Sequence, residues 1–587
     1  MMCASSSFLI PPRRFDAHGG FLSLPPHSVL TLTAPEACPH ALRVVEPILP
    51  TGAERRMVLG PEYTITLSAQ NQDVRVTDLA LPSSPEGFTF VITPEGFAAC
   101  ATSAEGLFRG CAFLRRECRA GRLPCGEGED APEKAVRGLM LDVSRNRVYS
   151  VETLFHVVDM MVLLGMNRLE LYFENVFAYR NHEAVWAKTS PYTPEDIAAV
   201  EAYCAARFVQ LVPNQNTLGH FERWLKHPDY LRYAELPQGG ARTPWGSIQA
   251  HPTGLFAADR ATRDFVKGLL EELLPCFPRA TSVNLGGDEV FDLGQGRSKI
   301  DDKAALYLGY MREMADVALR QGKRPELWAD MLIRHPEMLP QVKAVLPEVR
   351  WLVWGYEATD PIGESAARLR AEGLEVVVCP GTSSWRSFCG RTSNMLANIR
   401  AAAQADASGM LLTDWGDAGH WQPLTVSIPA LAFAGALAWN THGEPNLPAL
   451  TDVLLGEEGL GDVLLRLGDT YLTAEALAGN ATKLFQAYNL PLADGPALKP
   501  EALEKTLVEL EELAEAPVLS GHSLAVREAR YALELQRLAV LRALKKPGLR
   551  RMRAALAAQM ALLWAERGPR AQLDDSLSAF LAQELPE

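Results

Sequence analysis

Two carboxylates stand side by side at Asp288 and Glu289, directly after the run Val283-Asn284-Leu285-Gly286-Gly287. An apolar run that closes on two glycines would carry side chains from a buried parallel strand to the mouth of a site. Neighbouring residues on a strand point to opposite faces, so adjacent acids cannot share one task. One can face a reacting bond while the other is turned to orient a group beside it. The glycines leave room for the backbone to bend or for a ligand to approach closely. An Asp-Glu pair also occurs on any acidic surface, so its weight depends on what surrounds it.

The elements that must position the pair form a regular series. Short apolar runs recur at 138–143, 168–173, 208–213, 281–285, 325–329, 349–353, 374–379 and 409–413, and helical stretches intervene at 151–164, 194–206, 263–274, 304–321 and 362–372. Strands alternating with helices over this length are the arithmetic of an α/β fold of the (β/α)8 TIM barrel type. A doubly wound open sheet would usually carry a Gly-rich phosphate turn after an early strand, and none is present. Residues 1–132 read as a small N-terminal α+β domain with strands at 28–32, 63–68, 73–78 and 88–93, a helix over 106–116, and a polar linker over 126–134. The barrel takes 133–442. Residues 443–587 read as a C-terminal helical domain, with helices over 447–455, 461–478, 500–514, 522–545, 549–566 and 573–585, whose chemistry is silent.

Barrel active sites gather where strands end at their C-terminal side. Those positions hold Asp142 and Arg145, Glu174 and Asn175, then Asn214, Asn216 and His220, then Asp288 and Glu289. They continue with Trp328 and Asp330, Trp354 and Tyr356, Trp385, and finally Asp414, Trp415, Asp417 and His420. Large aromatic faces suit the flat C–H faces of a pyranose ring. A carboxylic acid desolvated among them holds its proton more tightly and can act as a general acid. Tryptophans at barrel ends can also simply plug the core, but several grouped with acids favour the sugar site.

Asn284-Leu285-Gly286-Gly287-Asp288-Glu289 resembles the signature of the family 20 glycoside hydrolases, the β-N-acetylhexosaminidases. Residues 137–145, Gly165-Met166-Asn167, the segment from Val212-Pro213 to Gly219-His220, and Trp415-Gly416-Asp417 resemble other segments of that family in the same order. The resemblance covers roughly residues 20–440. It implies Glu289 as general acid/base and Asp288 as the group that holds a 2-acetamido substituent and stabilises an oxazolinium intermediate. It implies Arg137 and Asp417 as ligands of sugar hydroxyls, Trp328, Trp354 and Trp415 as a cage for the acetamide, and His220 as a partner of the acid. Trp385 joins the aromatic wall. In this family the substrate's own acetamide replaces the second carboxylate that most retaining glycosidases use.

Three places depart from the family pattern. Asn214-Gln215-Asn216 stands where acids are more usual, Glu170 to Asn175 lacks the usual His and Asp, and Ser383-Ser384-Trp385 lacks the usual tyrosine. Tyr356 is the substitute for that tyrosine. The chain therefore reads as a divergent branch, an exo-acting enzyme on an amino-sugar-containing glycan or oligosaccharide. The alternatives are an exo-β-glucosaminidase-like activity or an inactive carbohydrate-binding protein. A metal-dependent barrel hydrolase would need clustered ligands, but His182-Glu183 has no second histidine four positions on. A serine hydrolase would need a Gly-x-Ser-x-Gly elbow. No cofactor and no metal are implied.

Composition agrees. The 587 residues are 48% hydrophobic and 22% charged, with a formal charge of -14, which speaks against nucleic acid as a partner. The nearest approach to a membrane span, residues 155–173, is interrupted by Asp159, Asn167, Arg168 and Glu170. At the N-terminus an apolar patch precedes the basic residues, the reverse of a secretory signal, so a cytoplasmic protein is expected. The ten cysteines include no Cys-x-x-Cys pair. Homodimerisation stays open.

Overall fold

A computed structural model of the chain describes residues 8–24, 27–68, 74, 79–118, 122–244, 246–298, 302–475 and 477–586. Eight parallel strands close into a barrel: Val136–Asp142, Arg168–Phe173, Gln210–Gln215, Ser282–Asn284, Arg324–Trp328, Arg350–Trp354, Glu375–Cys379 and Gly409–Asp414. The first pairs with the eighth, Met410 lying opposite Arg137, which closes the ring. Arg168–Phe173 and Gly409–Asp414 are buried at every position, because core side chains cover one face and helices the other. Ser150 caps the first outer helix, Val151–Leu163, by accepting the Thr153 N–H.

Charge inside the barrel is paired. Arg168 bonds both Glu170 (2.7 Å) and Glu326, while Arg350 bridges Glu326 and Glu375, each at 2.9 Å. Asn214 donates to Glu170 at 2.9 Å. Buried charges persist when each has partners, and here every carboxylate has them. Asn214 thus serves the barrel interior. Gln215 receives the Tyr179 hydroxyl, and Asn216 donates to Tyr172.

The N-terminal domain is a seven-stranded sheet in the spatial order Arg14–Ser23, Arg122–Asp130, Phe88–Thr93, Gly96–Ala101, Tyr63–Ser68, Val29–Ala34, Glu54–Leu59. The stretch expected as a linker is largely strand Arg122–Asp130, paired on both sides. Its glycines misled: a Cβ on Gly126 would lie 2.4 Å from the Phe15 ring, and one on Gly128 2.6 Å from Phe90. Here glycine lets aromatic rings lie flat on a strand, as close backbone approach requires. All but Val74 of the strand expected over 73–78 lies outside the described residues.

Helix Ala104–Glu117 joins this sheet to the barrel. Arg109 reaches the carbonyls of Met166 (3.3 Å) and Phe208 (3.2 Å), and Arg116 that of Leu163 (2.9 Å). Between the last strand and the C-terminal region lies Ile428–Trp439, buried at all twelve positions. A helix covered on every side carries no amphipathic period, so the sequence pattern gives no sign of it.

The C-terminal region is helical, with one interruption. The helix expected over 461–478 is broken into Leu460–Leu467 and Thr470–Thr473, followed by a two-stranded hairpin, Leu477–Ala478 with Ala481–Thr482. The break falls where Gly468 packs against the barrel: a Cβ there would lie 2.3 Å from Thr392 Oγ1. Glu528, on helix Leu524–Ala543, accepts from Arg567 at 2.8 and 2.7 Å and from Thr425 Oγ1 at 2.5 Å, tying two helices to the barrel. No helix of the described residues is long and apolar enough to cross a membrane.

Candidate active site

The chain turns sharply after the fourth strand. Gly286 and Gly287 both adopt positive φ, +70° and +85°, followed by Glu289 at +50°. Neither glycine can be replaced without collision: a Cβ on Gly286 would sit 1.8 Å from Asn216 Oδ1, and one on Gly287 2.9 Å from the Tyr307 hydroxyl. For Glu289 the left-handed backbone is strained. Asp330, at the end of the fifth strand, helps hold it there by accepting the Glu289 N–H at 3.2 Å.

His220 stands over both acids. Its Nε2 lies 3.1 Å from Asp288 Oδ2 and 3.7 Å from Glu289 Oε2. Burial alone would lower the imidazole, but Asp288 first and then Glu289 outweigh it and raise its pKa to about 10. The ring is therefore an imidazolium at neutral pH. Burial raises the Glu289 carboxyl, Asp288 adds to the shift, and His220 and Arg334 hold it back; the net direction is upward. Asp288 keeps one oxygen for His220, while Oδ1 is buried and has no hydrogen-bond partner among the described residues. A buried acceptor left empty is costly, so it marks a place where a donor is expected.

Aromatic rings close the opposite side. Trp354 stacks on Tyr356 at 5.2 Å, and Trp385 meets Tyr356 edge-on at 5.1 Å. The Tyr356 hydroxyl accepts the Trp415 indole N–H at 3.0 Å, which orients both rings. Trp385 is carried by the loop after the seventh strand. Asp414 of the eighth strand fastens that loop by accepting from Thr382 (2.7 Å) and Ser384 (3.0 Å).

Asp288, Glu289, His220, Trp354, Tyr356, Trp385, Trp415 and Asp417 thus line one pocket at the C-terminal ends of the strands. Trp328 does not line it. It is 1% exposed and supports Trp415 from beneath, with ring centroids 6.4 Å apart. Arg137 must be corrected. It starts the first strand, at the far end of the barrel, is fully buried, and pairs with Glu86 of the N-terminal domain while donating to Gly165 O at 2.8 Å. Its work is to dock two domains.

Arg145, one of the strand-end residues, and Asn480, which no strand-end rule points to, complete the pocket. Arg145 lies 2.9 Å from Asp142 Oδ2 and 3.3 Å from Asp417 Oδ1, with its guanidinium over Trp415 and Tyr172. Asp142 also accepts the Gly416 N–H at 3.0 Å, so one buried carboxylate organises the ends of strands one and eight. The signal was available: Arg145 follows its strand, whereas Arg137 begins it. The second is Asn480, at the turn of the C-terminal hairpin, whose Oδ1 accepts the Trp385 indole N–H at 2.8 Å and whose own N–H donates to Glu357. The helical region, expected to be silent, reaches the site. Among the described residues no group of three or more His, Cys, Asp or Glu is placed to hold a metal ion.

Residues 135–424 match the model of the glycosyl hydrolase family 20 catalytic domain. Among curated proteins, the chain is 25% identical over 299 residues to a beta-hexosaminidase of Akkermansia muciniphila, covering 44% of this chain and 59% of that protein. It is also 25% identical over 334 residues to hexosaminidase D of Bos taurus, covering 52% and 92%. Among solved structures, a Flavobacterium johnsoniae chitobiase matches 99% of this chain and 100% of its own, with a TM-score of 0.60 at 15% identity. A Streptomyces plicatus N-acetyl-beta-hexosaminidase matches 76% and 95%, with a TM-score of 0.56 at 16% identity. At such identities the structural likeness establishes the fold.

Proposed function

The chain belongs to glycosyl hydrolase family 20, and from that premise we propose that it removes terminal β-linked N-acetylhexosamine from glycans by a retaining, substrate-assisted mechanism. The observation that carries the mechanism is Asp288 Oδ1, a buried carboxylate oxygen with no partner among the described residues, beside a carboxyl whose pKa is raised. An acetamide N–H is a donor that would satisfy it. With the nitrogen held, the acetamide oxygen is aimed at the anomeric carbon, and holding a near-attack pose is worth several kcal/mol.

In the first step the acetamide oxygen bonds to the anomeric carbon while the bond to the leaving oxygen breaks. Glu289 gives its proton to that oxygen. The product is an oxazolinium ion, whose positive charge the Asp288 carboxylate offsets. Glu289, now a carboxylate, takes a proton from water, whose oxygen attacks the anomeric carbon and reopens the ring. Two inversions return the β configuration and restore the acetamide. His220, held as an imidazolium, stays paired with the Asp288 carboxylate at 3.1 Å. Arg145 and Asp417 present a cation and an acceptor to the sugar hydroxyls, and the rings of Trp354, Tyr356, Trp385 and Trp415 enclose the acyl group.

The test varies the nucleophile inside the substrate. Aryl glycosides carrying N-acetyl, N-trifluoroacetyl or a free amine are compared by kcat/KM. Because fluorine withdraws electron density from the acyl oxygen, the trifluoroacetyl substrate should be cleaved far more slowly, and the free amine scarcely. Equal rates on all three would mean that a protein group attacks the anomeric carbon.

A further inference from the structure

A second cavity, about 690 Å³, opens beside the acids. Its walls are the segment after Glu289 (Val290, Phe291, Leu293), the N-terminal end of helix Lys303–Arg320, and the residues from Met331 to Met338. That volume lies in the range of small-molecule sites, with room for more than one ring. Its position fixes its role, given the activity proposed above. The aromatic wall takes the terminal sugar, and Glu289 protonates the oxygen that leaves, so the leaving group lies on the Glu289 side, next to Val290. Arg334 lines this cavity and reaches Asp330, the residue that holds the Glu289 backbone, at 3.4 Å.

The charge of the cavity runs against the balance of the chain. Arg242, Lys303 and Arg334 line it in a protein of formal charge -14. Its two carboxylates are already engaged: Asp302 caps the helix by accepting the Ala305 N–H at 2.8 Å, and Glu337 lies 3.1 Å from His335 Nδ1. Among the described residues neither Arg242 nor Lys303 has an ion-pair partner. We infer that this cavity is the leaving-group site and that it selects an anionic aglycone, a saccharide or aryl group bearing a carboxylate or a sulfate.

The inference rests on the proposed activity, and the experiment separates the two. Non-hydrolysable S-linked aryl β-N-acetylglucosaminides bearing a meta carboxylate, sulfonate or neutral carboxamide are titrated into the full chain. Either anion should bind about tenfold more tightly than the carboxamide in about 20 mM salt, and the advantage should shrink in about 0.5 M salt, where screening is strong. In Arg242→Gln/Lys303→Gln the advantage should fall at least threefold. Equal affinity of the three ligands, or an advantage unchanged in the double variant, would overturn the inference. The O-linked carboxamide glycoside tests the activity separately: if it is bound but never cleaved, the proposed reaction fails while the affinity ratio still decides the charge preference. If none of the ligands binds, both readings fall.

Discussion

Replacing Asp288 by asparagine removes a charge while keeping the shape of the side chain. In the native site Oδ2 faces His220 at 3.1 Å and Oδ1 is buried and unpartnered. Asparagine has a single acceptor oxygen. If that oxygen stays on the imidazolium, the amide NH2 is turned toward the substrate, where a donor would meet the acetamide N–H. A charge-assisted hydrogen bond of roughly 1.5–3 kcal/mol is lost. The carboxylate also ceases to attract the oxazolinium charge, worth ~3–4 kcal/mol at about 5 Å and an effective dielectric near 20. The contributions overlap, so about 4–5 kcal/mol is expected, or on the order of a thousandfold in rate. The loss should fall on kcat, because the charge develops only after the substrate is bound. Steady-state kinetics on the N-acetyl aryl glycoside, with thermal unfolding as a control, measures it. A loss of less than about tenfold, or one confined to KM, would refute the assignment of Asp288.

Three further outcomes follow from the same geometry. Glu289→Gln should all but abolish cleavage of poor leaving groups yet spare binding, and progressively more acidic leaving groups should recover rate; a loss independent of the leaving group would remove Glu289 from the role of acid. Glu289 must carry a proton to act and its carboxyl is raised, so kcat/KM should persist through the ordinary carboxylate range and fall as pH passes the raised value. His220→Asn, which takes away the cation holding that carboxyl down, should move the falling limb to higher pH, and a fixed limb would mean that another group controls it. Glu528→Ala strands Arg567, whose guanidinium it binds twice at 2.8 and 2.7 Å, and should destabilise the docked helical region by about 3–5 kcal/mol in chemical unfolding; an unchanged midpoint would contradict the docking.

The barrel was legible because its strands are short, apolar and separated by amphipathic helices. Each of the eight expected runs lies within two residues of an observed strand. What sequence concealed was structure made by contact. Gly126 and Gly128 look like linker residues until Phe15 and Phe90 are seen lying over them. Ile428–Trp439 lacks a period because it is buried on every side. Gly468 stands at the first break in the run expected as one helix, where Thr392 occupies the space a side chain would need. In each case the deciding atom belongs to a distant part of the chain, and local pattern contains no record of it.

The site divides along the same line. Asp288, Glu289, Trp354 and Trp415 are found by position, since a residue at the end of a parallel strand of a barrel emerges at one face. The same rule separates the two arginines of the first strand: Arg137 precedes the strand's apolar run and is carried to the opposite end, where Glu86 neutralises it, while Arg145 follows the run and meets Asp417. The rule does not reach Asn480. That residue belongs to no barrel strand and stands at the tip of a hairpin outside the span 135–424 that matches the family model. Its bonds to Trp385 and Glu357 bring it to the pocket. A barrel fixes the chemistry that its own strand ends can deliver, whereas residues contributed from outside it are free to differ between relatives without disturbing the fold. In this chain the acids therefore belong to the barrel, while part of the pocket wall belongs to the helical region docked upon it.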